Sequence, residues 1–165
     1  MAEICKFSLA YDAAEDRLAW DAEDLEGGVT RLWLTQRLCR GMIEALIPRL
    51  PKPQAELAPE HEQAVQSWEQ AAAMSEFGKT PGVLVQPESA AGLVRTVHLR
   101  PTAEAVTFVF EFGVGEERSI TLAAPAIRQM LSVMHSLHAA AGWPTGAFPA
   151  WVFEPASAEA APALN

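Results

Sequence analysis

The sequence predicts an α+β fold made of two β-β-β-α units, with antiparallel sheets covered by helices. Three observations carry this. Apolar and polar residues alternate in six short runs; each set of three runs leads into a stretch of helical three-and-four spacing; and the second set follows the first at an offset of about 88 positions. Thus "RLWLTQRLCRGM" at 31–42 is echoed by "SITLAAPAIRQM" at 119–130.

The first unit is placed at 4–50. Cys5, Phe7, Leu9 and Tyr11 alternate with Lys6, Ser8 and Ala10, which predicts a half-buried strand. The turn-prone "DAAED" then leads to a second strand with Leu18 and Trp20 on one face. After the acidic loop "DAEDLEGG", a third strand sets Leu32 and Leu34 opposite Val29, Arg31 and Trp33. From the N-cap candidate Thr35, the residues Leu38, Cys39, Met42, Leu46, Ile47 and Leu50 keep helical spacing until Pro51 and Pro53.

Residues 51–80 read as a linker, "PKPQAELAP", and a polar, Ala-rich middle helix with Val65, Trp68, Ala72 and Phe77 on its inner side. The second unit, 81–143, starts with the short apolar piece "VLV". Leu93, Val97 and Leu99 then alternate in one strand, and Val106, Phe108, Phe110 and Phe112 in the next. "GVGEE" is a hairpin connection to "RSITL". A helix follows from Pro125 through Ile127, Met130, Leu131, Met134 and Leu137 to Gly142 and Pro144. An aromatic closing segment at 144–154 completes a single compact domain at 1–154, and 155–165 reads as a disordered tail. In architecture alone, the layout resembles the strand-strand-strand-strand-helix repeats of Whirly and PUR-type single-stranded nucleic-acid-binding proteins, if "VLV" supplies an extra strand. The first unit has no fourth strand and no residue motif of those families is present, so no site is carried over.

Twelve Lys and Arg against 21 Asp and Glu give a formal charge of −9, which disfavours nucleic acid as a partner. The N-terminus has neither the basic start nor the apolar run of a secretory signal, and no stretch of about 18 apolar residues suggests a membrane span. A cytoplasmic, bacterial-type protein is expected, with Cys5 and Cys39 reduced on apolar faces.

No residue pattern spells out a reaction. His135 and His138 stand at i, i+3 but lack a third metal ligand, so neither a metal nor a cofactor is expected. The acidic residues Asp12, Glu15, Asp16, Asp21, Glu23, Asp24 and Glu26 read as solvated turns. The expectation is a non-catalytic binding or assembly protein for another protein, and a homodimer through a sheet edge or the Trp-bearing face is one form of it. Its contact candidates are Arg31 and Trp33 on the third strand, and Trp151 and Phe153 in the closing segment, which either folds back over a sheet edge or docks elsewhere. Two alternatives stand beside it. A single-stranded nucleic-acid binder would need Arg31, Arg37, Arg40, Arg95, Arg100 and Arg118 on one face. A small-ligand binder or enzyme would need a pocket between the units.

Overall fold

The computed structural model of the chain describes residues 1–50, 59–78 and 81–154. Six strands, β1 (Ala2–Asp12), β2 (Arg17–Asp24), β3 (Val29–Leu34), β4 (Ala90–Pro101), β5 (Ala105–Phe112) and β6 (Glu116–Ala123), form one closed barrel in chain order. Neighbours are antiparallel within β1–β3 and within β4–β6. The barrel is closed by two parallel seams, β3 with β4 from Thr30↔Ala90 to Trp33↔Leu93, and β1 with β6 at Ala2↔Arg118 and Glu3↔Ser119.

The expected pair of open, helix-covered antiparallel sheets is therefore corrected. All six strands belong to one closed barrel with one core, and parallel pairs join its halves. Pairing the outer strands of one meander with those of the other satisfies backbone groups that each meander alone would leave at its edges. The Whirly and PUR-type layout is not adopted either: "VLV" forms no strand, and β4 begins only at Ala90.

Strand pairing explains why alternation read most residues correctly and two wrongly. Leu18↔Leu34 and Trp20↔Leu32 in the first half match Val106↔Leu122 and Phe108↔Ile120 in the second. Both first strands, however, carry a bulge, between Ile4 and Lys6 in β1 and between Val94 and Thr96 in β4. A bulge moves the alternation by one residue. Ile4 and Val94 are consequently buried, whereas Cys5 and Leu93, expected inside, are exposed. At the centre lies Trp20, fully buried, its ring 4.6 Å from Phe7 and 4.7 Å from Phe110.

Three helices complete the fold: α1 (Gln36–Leu46), α2 (Pro59–Ser75) and α3 (Ala124–Ala141). Thr35 caps α1 by accepting from the Leu38 N–H at 3.2 Å, and Cys39, Met42, Ile43 and Leu46 form its buried stripe. Pro48, inside a 3₁₀ turn at Ile47–Arg49, ends it. In α3 the helix stops at Gly142, whose φ of 69° is the left-handed conformation of a C-cap.

The middle helix does not bury the face expected of it. Trp68 and Ala72 are exposed, as is Phe77 beyond its end, while Gln70 and Ala73 are buried. The cause is Arg128 on α3, only 2% exposed, which needs polar partners. Its guanidinium donates to the Gln66 carbonyl at 3.0 Å, to the Gln66 side chain, and to Glu69 at 2.7 Å, and it lies 4.9 Å from the Trp151 ring. Gln70 returns a bond to the Arg128 carbonyl at 2.9 Å. A buried cation thus selects the polar side of α2.

After α3 the chain folds back on itself. Trp143, Phe148, Trp151 and Val152 join the core, but as a loop and a 3₁₀ turn at Ala150–Val152 and not as a closing strand. Asp16 secures this return by accepting from Trp143 Nε1 at 2.9 Å and from the Tyr11 hydroxyl at 2.8 Å. The readings of the 51–58 linker and of the 155–165 tail lie outside the described residues. No helix among the described residues is long and apolar enough to cross a membrane.

Candidate functional site

The shortness of the seams creates two grooves. After Leu93, β4 runs on to Pro101 while β3 ends at Leu34 and the chain turns into α1, so a space opens between α1 and β4. After Glu3, β1 likewise runs on to Asp12 while β6 leads into α3.

The α1–β4 groove has a volume of about 710 Å³. Its helical wall presents Arg37, Gly41, Ala45 and Arg49, four residues apart on one side of α1 and the turn after it, and its strand wall runs from Val94 to Leu99 and includes Arg95 and His98. No acidic residue is among the described residues that line it. In a chain of formal charge −9, three guanidinium groups share one open groove. Among the described residues neither Arg37 nor Arg95 has a carboxylate partner, and Arg49 donates to the Ala45 carbonyl at 2.6 Å. His98 lies 2.7 Å from Glu111 on the neighbouring strand.

The β1–α3 groove, of about 480 Å³, is mainly apolar, with Phe7, Leu9, Leu122, Met130 and Val133 in its walls. Its remaining wall is the chain's own segment at Glu76–Gly78 and Pro81–Gly82. Val83 N–H donates to Ser8 Oγ at 3.2 Å and so fixes that segment along β1.

The structure separates the other arginines proposed from the sequence. Arg31 makes a two-point pair with Asp21, at 2.6 and 2.8 Å, and covers Trp33 with its guanidinium 5.2 Å from the ring. That hydrogen-bonded partner raises the Arg31 pKa above its ordinary value. Arg118 points into the barrel, 5.4 Å from the Phe112 ring and 3.5 Å from Thr30 Oγ1. Arg40 is exposed beside Glu44 at 3.9 Å and, with Arg37, Gln36, His138 and Pro144, lines a smaller pocket of about 240 Å³. Arg100 is exposed on β4. Arg37 and Arg95 are therefore the two of the six that line the groove. Arg49 was missed because the sequence before Pro51 and Pro53 read only as a helix end; the four-residue spacing of Arg37, Gly41, Ala45 and Arg49 was the available signal.

The aromatic candidates divide similarly. Trp33 is half-buried beneath Arg31, Trp151 is 8% exposed and packed in the core, and Phe153 is 46% exposed and stacked on His135 at 4.4 Å. His138 is buried and its Nδ1 is held 2.7 Å from the Met134 carbonyl. Among the described residues no group of three or more His, Cys, Asp or Glu could hold a metal. Burial pushes the Cys39 thiol up to about 12, which keeps it protonated and a poor nucleophile at neutral pH. Asp12 accepts from the Ala14 and Glu15 amides at 2.9 and 3.0 Å, and Asp24 from those of Glu26 and Gly28 at 3.0 and 2.8 Å, so these carboxylates shape turns. Compared with known proteins, the chain matches no family model, no curated protein and no solved structure.

Proposed function

We propose that this chain is a non-catalytic binding protein that takes a segment of another protein into the groove between α1 and β4. The carrying observation is the concentration of Arg37, Arg49 and Arg95 in an open groove without an acidic lining residue among those described. Clustered, unneutralised cations in an acidic protein favour encounter with an anionic partner. Single-stranded nucleic acid is the second reading, because two of its candidate arginines converge there. It is the weaker one: Arg31 is neutralised by Asp21, Arg118 is inside the barrel, and none of the described residues lining the groove is Phe, Tyr or Trp, on which bases stack.

Gly41 offers a direct test, because a Cβ built there meets nothing within 4 Å. A photo-crosslinking benzoylphenylalanine at Gly41, with a control at the 95% exposed Val114 of the β5–β6 turn, is introduced into the full chain in cells. The expected result is an adduct at Gly41, absent at Val114, that resists nuclease and is destroyed by proteinase. A nuclease-sensitive adduct, or the same adducts at both positions, would overturn the reading.

A further inference from the structure

The two grooves are built alike, and one of them is bordered by a further stretch of the protein itself. Ile4–Leu9 on β1 and Val94–Leu99 on β4 form corresponding walls, each beginning at its bulge. On the helices, Leu38, Gly41, Met42 and Ala45 of α1 occupy the places of Ala126, Gln129, Met130 and Val133 of α3. Along β1 the space is bordered by Pro81 and Gly82, and the next residue, Val83, is bonded to Ser8. The residue that corresponds to Ser8 on β4 is His98, and no chain segment among the described residues lies against it in that manner.

We propose that the α1–β4 groove receives an extended, acidic peptide segment of a partner protein, laid along the unpaired side of β4. This rests on the protein-binding reading above and specifies its partner.

Three features define the occupant. From Arg95 to Pro101 β4 is paired with β5 on one side only, so its other side can receive a strand-like backbone. That stretch is about 20 Å long at strand spacing, enough for roughly six or seven extended residues. The chemistry of the walls sets the side chains. Arg37 and Arg49 stand near the two ends of the helical wall and Arg95 on the strand wall, while Leu38, Met42, Val97 and Leu99 supply apolar surface between them. An alternating acidic and apolar peptide matches both. The twin groove has Cys5 in the place of Arg95 and no arginine among its described lining residues.

The test uses the full-length protein and a fluorescein-labelled, end-capped peptide of about nine alternating Glu and Val residues, with its Lys and Val counterpart and an oligothymidylate of equal charge. The expected result is an anisotropy rise with the acidic peptide alone, weakening with added salt. Arg37→Gln with Arg95→Gln should reduce affinity about tenfold or more while leaving the melting temperature unchanged, since both side chains lie on the surface of the fold. A proline at the centre of the peptide should also weaken it by removing a backbone donor. Preference for the oligothymidylate, indifference to the charge of the peptide, or binding unchanged in the double variant would each overturn the proposal. Failure of the acidic peptide together with a proteinaceous adduct at Gly41 would sink the acidic strand alone and leave the protein-binding reading in place. An adduct consisting of a second copy of this chain would overturn the partner proposed here.

Discussion

At the scale of single residues, the molecule is governed by a few buried polar side chains. Arg128 is the clearest. Removing its guanidinium by Arg128→Met leaves the Gln66 carbonyl and Glu69 without their donor, and should cost about 3 kcal/mol, the low end for a broken buried pair because Glu69 is partly exposed. Urea unfolding would measure it, and a change below about 1 kcal/mol would remove Arg128 as the anchor of α2. His138 gives a pH dependence with a definite sign. Burial lowers its pKa below the ordinary 6.5, the Met134 carbonyl opposes this, and nearby His135 adds a smaller lowering. The fold therefore favours the neutral ring. That contribution is complete above the unfolded value and is lost as the pH falls below it. The burial of His135 acts in the same direction. The urea midpoint should fall between pH 7 and pH 5, and fall less in His138→Gln; equal slopes in the two proteins would refute the assignment.

At the scale of elements, regular patterning was legible and its interruptions were not. Strand faces around Trp20, Leu32, Phe108 and Ile120 follow from alternation, and α1 and α3 from their spacing and caps. The bulges beside Cys5 and Leu93 left no signal, because each is a one-residue backbone change amid otherwise continuous alternation. The inner face of α2 was misread for a different reason: hydrophobicity ranks Trp68 above Gln70, yet the buried partner is a cation. Two substitutions test this level. Gly41→Ala in α1 should stabilise the protein by roughly 0.5–1 kcal/mol, since the site is exposed and unobstructed, and calorimetry would detect the shift. Trp151→Ala should destabilise it by about 3–5 kcal/mol, as expected of a core side chain in the returning segment. A neutral result for Trp151→Ala would return that residue to the list of contact candidates.

At the scale of the whole molecule, barrel closure was the feature that could not be read. Two and four residue pairs make up the parallel seams, too few to impose a pattern on strands whose other neighbours are antiparallel. The groove was hidden for the same reason, since it exists only where β4 outruns β3. Gly92 lies in the longer seam, and a Cβ there would lie 2.5 Å from the ring of Phe112 on β5, which is itself buried, so Gly92→Ala should cost about 1–3 kcal/mol in chemical unfolding. The same seams bear on how the chain acquires its structure. Every antiparallel pair joins strands linked by a short turn, whereas β3 with β4 and β1 with β6 must bring together segments distant in sequence. Loop-closure entropy places such contacts late in folding. Weakening a seam is then expected to accelerate unfolding while leaving the folding rate nearly untouched, the signature of an interaction made after the barrier has been crossed.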